Sequence, residues 1–269
     1  MSASPPPTTT PDSVPIDLGD LVDSDHEADI EAESEDTLEY FSGYFYPVSI
    51  GDLLKQHYQI VHKLGRGGFS TVGKAVALKI LCSSASSDDE YEAHIDIAQR
   101  VRDRSRLVLC QDQFVLIRMH RNVEHKHRVL VLPLRGPSLH MGFQGIQTPL
   151  AHRMSAARHL LQAILSIHEA GLVHRDIVPR NVVYSLNADL GKMSITDKYK
   201  LLGRPRKGRI FEEDEVVGEI VAPAEFPLRV LGSDAYLCDF GILVKAGTSV
   251  PNKLQSPAGY CAPKLFHDI

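Results

Sequence analysis

The sequence has no cysteine pair. Cys82, Cys110, Cys238 and Cys261 lie far apart and form no CxxC, which argues against a zinc site and against a disulfide framework and makes a reducing compartment the default. It also lacks an apolar run of about eighteen residues, the length a membrane span needs, and a basic stretch followed by an apolar one at its start. Cytosol or nucleus is the expected location, with no membrane attachment. No internal repeat is visible. Residues 1–40 contain no Lys or Arg, yet they hold twelve of the 34 acids and open on Pro5–Pro7 and a threonine run. A segment this acidic does not bury enough apolar surface to offset the entropy of ordering, so a disordered acidic tail is expected over 1–40. The remainder then carries 29 Lys and Arg against 22 acids. A tail that folds back on its own basic domain, or that binds a basic partner, is the other reading.

What is present suits a globular protein with a real core: 269 residues, 43% of them apolar, enough for one large or two small domains. After the aromatic stretch YFSGYFYPVSIGD, the run YQIVHKLGRGGFSTV reads as a strand entering a tight glycine turn, and AVALKILC as a second strand. Asp88–Val101 has helical spacing with acids in its first turn, and Arg128–Leu134 is a short buried strand ending at a proline. The clearest helix runs over about His152–Glu169, with Ala157, Leu160, Leu161, Ile164, Leu165 and Ile167 on one face and Gly171 placed as its cap. Then VVYSL is a strand candidate, Asp197–Pro227 a charged excursion, and AYLCDFGILV a strand broken at Asp239–Gly241. Few, mostly short strands followed by a strong helix suggest a sheet-rich lobe and then a helical one.

Several residues have the chemistry that phosphoryl transfer needs. Gly65, Gly67 and Gly68 leave no side chains between backbone amides and a polyphosphate, although the same loop alone reads equally well as a hairpin turn. Lys79 lies in an otherwise apolar strand, where an inward ammonium needs an anionic partner; a strand-edge lysine is the plainer alternative. In LVHRDIVPRNVVY, Asp176 could orient a substrate hydroxyl and Asn181, five places on, offers a carbonyl oxygen to a divalent metal. Asp239 supplies the hard anion that Mg²⁺ prefers, and Gly241 the turn that aims it. Singly, each carboxylate reads as a cap or a turn residue. Their order and spacing together, followed by SPAGYCAP, point to one site.

In that order the sequence resembles the protein kinase family, through G-x-G-x-x-[GS]-x-V, V-A-x-K, H-R-D-x-x-x-x-N and D-F-G, over about residues 40–269. GYFYPVSIGD, Ser70 at the third glycine position and KYKLLGRP are similar to the SR-protein kinases and their fungal relatives. The resemblance implies an α+β, bilobal fold: a small antiparallel-sheet N-lobe over 41–134, shortened around the second strand, and a partial helical C-lobe over 135–269 ending after the activation segment. It implies transfer of the γ-phosphoryl of Mg·ATP to a protein hydroxyl. Gly65, Arg66, Gly67, Gly68, Phe69, Ser70 and Val72 would cover ATP, and Lys79 would hold its α- and β-phosphates. Val72 and Ala77 would sandwich adenine, Leu132–Leu134 would form the hinge, Asp176 would be the base, and Asn181 and Asp239 would hold Mg²⁺. The implied partners are ATP and a protein substrate, with Arg/Ser-rich segments as the candidate class; a monomer is expected, with no direct nucleic-acid contact.

Four departures stand against the family pattern. Only seven residues separate Val72 from Lys79, a shortening that shifts Lys79 along the sheet by on the order of 10 Å and puts its reach to the phosphates in question. The position seven before Val101, where the partner glutamate is expected, is His94, with Glu90 and Glu92 nearby. Val178 replaces the lysine of serine/threonine kinases, and Arg180 is placed to supply that charge instead. The segment matching A-P-E reads Ala262, Pro263, Lys264, and the helices that follow it in the family are missing. A catalytically inactive nucleotide-binding or scaffolding fragment is therefore the alternative function. A small-molecule kinase of the aminoglycoside-phosphotransferase kind shares the aspartate-to-asparagine loop but not SPAGYCAP.

Overall fold

The computed structural model describes residues 17–23, 30, 35–65, 68–71, 76–83, 87–140, 148–212, 214–249 and 258–260. In chain order its strands are β1 (Asp20–Leu21), β2 (Leu53–Leu54), β3 (Tyr58–Gly65), β4 (Gly68–Thr71), β5 (Val76–Ile80), β6 (Asp112–His120), β7 (Val123–Pro133) and β8 (Leu172–Val173). They continue as β9 (Val182–Leu186), β10 (Arg206–Glu212), β11 (Glu215–Val221), β12 (Leu231–Leu237) and β13 (Val244–Lys245). The helices are α1 (Leu38–Phe41), α2 (Ser87–Arg100), α3 (Leu150–Glu169) and α4 (Ile195–Leu202). This is an α+β chain with small, mostly antiparallel sheets. No helix among the described residues is long and apolar enough to cross a membrane.

Period-two burial builds the main sheet. In β5, Val76, Leu78 and Ile80 are buried on one face, while Ala77 and Lys79 point to the other. Six antiparallel strands join in the order β2-β3-β4-β5-β7-β6. Between β6 and β7, Arg121 and Asn122 both take positive φ, 47° and 63°, the mirror-image turn whose twist matches the flanking strands. The strand expected to start at Arg128 thus starts at Val123, because β6 pairs with it along its whole length. Ile60, Leu78, Phe114, Val129 and Val131 pack with Val48 and Ile50 into one core. A second core joins α2, α3, β9 and β12 through Ala93, Ile97, Ala156, Ile167, Val182 and Leu237.

Helix α3 has the expected length but a different inner face. Ala156, His159, Ala163 and Ile167 are buried, whereas Leu161 and Leu165 are 68% and 58% exposed. Small residues let the helix sit close to β12, and His159 is held there because its Nδ1 accepts the Ala235 N–H at 3.2 Å; of the expected stripe Ile167 is buried and Leu160 packs on the core, while hydrophobicity alone misplaced Leu161 and Leu165. Gly171, with φ of +70°, ends the helix as expected and turns the chain into β8.

Two regions expected to be irregular are ordered. Asp197–Pro227 holds most of α4, whose cap Ser194 accepts the Asp197 N–H at 3.1 Å, and the β10–β11 hairpin. The disordered tail is also corrected for its described part: β1 pairs in parallel with β10, and Arg204 binds both Asp17 and Asp20. Tyr199 donates to the Asp17 carbonyl at 3.1 Å and to that of Val61 at 3.3 Å. Further on, Ile30 and Tyr40 pack with Ile210 and Ile220 in a third core, and Glu35 pairs with the 2% exposed Lys63. Burial and then the Glu35 charge push the Tyr40 hydroxyl well above its ordinary range. A few apolar anchors and matched basic partners were hidden by an average over forty residues. The Glu35 carboxylate pairs with the buried Lys63 ammonium, and breaking one partner of a buried pair is destabilising, so Glu35→Ala should cost several-fold more stability than a surface change, up to about 3–5 kcal/mol. Glu39→Ala, at the surface, should stay within about 0.5 kcal/mol in the same denaturant melts; equal, small losses would show that the segment contributes nothing to the fold.

Candidate active site

The loop after β8 is shaped by its own sequence. Pro179 opens a short 3-10 turn, Pro179–Asn181, and holds the preceding Val178 extended. Arg175, at φ of +71°, turns Asp176 inward, where it is 8% exposed. Asn181 Nδ2 donates to the Asp176 carbonyl at 2.9 Å and to its Oδ2 at 2.8 Å. Both amide hydrogens are thereby used, and the amide oxygen is the end left to face a cation. Arg180 Nη2 lies 3.3 Å from the same Oδ2.

Strand pairing delivers the second half of the site. Val182 pairs with Leu237, so Asn181 faces Cys238 and its carbonyl accepts the Cys238 N–H at 2.9 Å. The Asp176 N–H donates to His174 Nδ1 at 3.2 Å, which leaves Nε2 as the protonated nitrogen, donating to the Cys238 carbonyl at 3.1 Å. Asp239 follows at φ of +66°, a left-handed backbone that a non-glycine residue adopts only under outside constraint. The constraint is visible next door: Phe240 is fully buried, its ring edge-on to His174 at 5.4 Å and to His94 of α2 at 5.3 Å.

Lys79 joins the parts. Its Nζ lies 2.7 Å from Glu90 Oε1 and 3.0 Å from Asp239 Oδ1. Burial works against the ammonium, but the charges of Glu90 and Asp239 outweigh it and hold the Lys79 pKa far above its ordinary value. Asp239 is likewise opposed by burial, yet Lys79 keeps its carboxyl below the usual range. Burial raises the Glu90 carboxyl, with Lys79 pulling against it.

These contacts settle two questions of placement. Lys79 stands opposite Gly68, and the short link does not remove it from Asp239. Its partner is Glu90, one helical turn before His94, the expected position. Glu90 and Glu92 both stood near the expected position in the sequence, and spacing alone did not choose between them. His94 and Phe240 were not read from the sequence as parts of the site. Gly65 pairs with Gly68 across the glycine loop, and the backbone of Phe69 and Ser70 continues β4; Arg66, Gly67 and Val72 lie outside the described residues. An added Cβ at Gly65 would meet nothing within 4 Å, so the described fold gives no steric reason for glycine there. Ala77 is paired between Ser70 and Leu132, on the sheet face that carries Lys79, and Leu134 follows where β7 ends.

Proteins similar to this chain in sequence are kinases. The serine/threonine-protein kinase SRPK of Physarum polycephalum is 31% identical over 188 residues, 62% of this chain and 41% of that protein. SRSF protein kinase 3 of Homo sapiens is 30% identical, across 63% of this chain and 32% of its own length. Serine/threonine-protein kinase AFC1 of Arabidopsis thaliana is 28% identical, across 60% and 35%. This chain is similar to protein kinases. Its similarity is to the SR-protein kinases, and it spans less than half the length of these relatives. No family model matches the chain.

The donor set of this site fits Mg²⁺. Asp239 gives one anionic oxygen centre, its side chain 45% exposed, and Asn181 a neutral one. Among the described residues no cluster of three His, Cys, Asp or Glu is present, and Mg²⁺ is ordinarily held by one or two protein oxygens with phosphates and waters. Beneath Asp239, burial and then the Lys79 charge push His94 from 6.5 down to about 4. Between those values the unfolded chain binds a proton that the folded one refuses, so stability falls as pH falls through the window, by at most about 3 kcal/mol. His94→Leu should make the melting temperature less steep between pH 7 and 4 than in the parent chain. Parallel profiles would exclude His94 as the source.

Proposed function

We propose that this chain is an ATP-dependent protein serine/threonine kinase of the SR-protein-kinase type, its sheet-bearing part (41–134) and helical part (135–269) forming the two lobes. The observation that carries this reading is the ammonium of Lys79 bridging Glu90 and Asp239 beside a loop that ties Asp176 to Asn181. Five residues from four separate stretches come together there, in the arrangement that phosphoryl transfer requires. Arg/Ser-rich protein segments are the candidate substrates, by similarity to relatives named as SRSF and SR-type kinases.

In this reading Lys79 orients the α- and β-phosphates, and the backbone of the glycine loop lies over them. Asp176 accepts or orients the proton of the attacking hydroxyl, held in place by Asn181. Asn181 and Asp239 would hold Mg²⁺, which supplies positive charge to the phosphate oxygens during transfer. Val178 is 3% exposed and carries no charge, so Arg180, with its side chain 58% exposed, is the cation that meets the transferring group.

Transfer of radiolabelled phosphate from ATP to an Arg/Ser-rich peptide tests the reading. Asp176→Ala should lower the rate by about 10²–10⁴-fold, the span of positioned acid–base catalysis. Equal background in both proteins would favour the inactive nucleotide-binding alternative. In thermal-shift titrations ATP should raise the melting temperature only with Mg²⁺ present, and Asp239→Asn should weaken that metal dependence. A shift of equal size without metal would remove Asp239 from metal binding.

A further inference from the structure

Glu90 is the fourth residue of α2, inside the first turn, where backbone N–H groups have no partner within the helix and where helices fray. A partner for Lys79 one turn later, at His94, would be held by the body of the helix; at Glu90 it depends on whatever anchors the helix start. One side chain does so from the sheet. Arg128 of β7 places Nε and Nη2 at 2.7 and 2.5 Å from Asp88 Oδ1, and its guanidinium carbon lies 4.7 Å from the centre of the Tyr91 ring. Its remaining Nη1 is fixed by Gln113 Oε1 of β6 at 2.7 Å. Asp88 and Tyr91 bracket Glu90 in the sequence.

Sheet geometry makes this anchor specific to the site. Lys79 pairs with Leu130, and side chains two apart on a strand share a face, so Arg128, Leu130 and Lys79 are on the same side of the sheet. The arginine therefore binds the helix start to the surface that carries the lysine. Among the described residues, the ion pairs of Asp96 with Arg100 at 3.1 Å and with Lys245 at 3.2 Å act two turns further along α2, away from the contacts of Arg128.

We propose that Arg128 is the positioning residue for the Lys79–Glu90 pair, gripping Asp88 and Tyr91 so that the first turn of α2 presents Glu90 to the lysine. Its consequence for catalysis rests on the kinase reading; the positioning itself does not. The contacts are largely at the surface, with Asp88 64% exposed, and exposed pairs add little to global stability. Loss of Arg128 should free the helix start without unfolding the protein.

The reactivity of Lys79 reports the pairing directly, because the free amine and not the ammonium attacks an acylating reagent. Labelling with an N-hydroxysuccinimide ester at mildly alkaline pH, read by mass spectrometry, needs no substrate and no activity. Arg128→Ala should raise Lys79 labelling several-fold, because a lysine released from Glu90 is open to the reagent. Arg128→Lys, which keeps the charge but not the fork, should fall between, and Arg100→Ala should match the parent chain. Where Arg128→Ala no longer melts cooperatively, Asp88→Ala takes its place, with the same rise expected. Unchanged labelling in a folded variant overturns the proposal, as does an equal rise with Arg100→Ala. In the transfer assay Arg128→Ala should raise KM for ATP and lower kcat while leaving KM for the peptide unchanged. A parent chain that transfers no phosphate defeats the kinase reading, while the labelling still decides on Arg128.

Discussion

Two carboxylates share one ammonium at the centre of this molecule, and most of the architecture around it serves to bring those three charges together. Lys79 comes from β5, Glu90 from α2 and Asp239 from the turn after β12, so the cluster joins the main sheet, the helix laid on it and the paired strands β9 and β12. Like charges in a partly dry site repel strongly. Without the lysine, neither carboxylate has a reason to stay. With it, the cluster keeps one net negative charge, and a site of hard oxygens with surplus negative charge is suited to a divalent cation. The same charges that hold the parts in register thus give the site its chemistry.

Beneath the charges lies an apolar contact that sets their geometry. Phe240, fully buried, fits between the rings of His94 and His174, and both histidines are kept neutral there, chiefly by burial. A neutral imidazole has one donor and one acceptor nitrogen. His174 uses both, between Asp176 and Cys238, and so fixes the distance between the two loops that carry the acids. The left-handed Asp239 backbone is held open by this packing on one side and by Lys79 on the other.

The described part of the acidic segment shows the same economy of contacts. Its excess charge is met at defined points, Arg204 and Lys63, and its few apolar side chains reach a core of their own with the β10–β11 hairpin. Composition averages such a segment into a solvated tail. Position decides otherwise, because three or four anchors are enough to order a short stretch when a surface complementary to them already exists.

Local signals were sufficient for much of this protein. The strands at Tyr58–Gly65 and Val76–Ile80, helix α3 with its glycine cap, and the spacing of Asp176 to Asn181 follow from periodicity, turn chemistry and motif order, which act over a few residues and are written in the chain. Asp239 next to a phenylalanine and a glycine is legible in the same way. The inner face of α3, the partner of Lys79, the neutral histidines around Phe240 and the fold-back of the acidic segment were not legible. Each depends on which surfaces meet in space, across 11 residues for Lys79 with Glu90 and 76 for α3 with β12. A helix chooses its buried stripe by the closeness its neighbour allows, so Ala163 faces inward and Leu165 does not. A lysine takes the carboxylate that the folded sheet brings within 3 Å, whatever its place in a motif. The sequence determined the chemical groups and their order; tertiary packing decided which of them touch, because charge pairing and close packing depend on distance in space and not on separation along the chain.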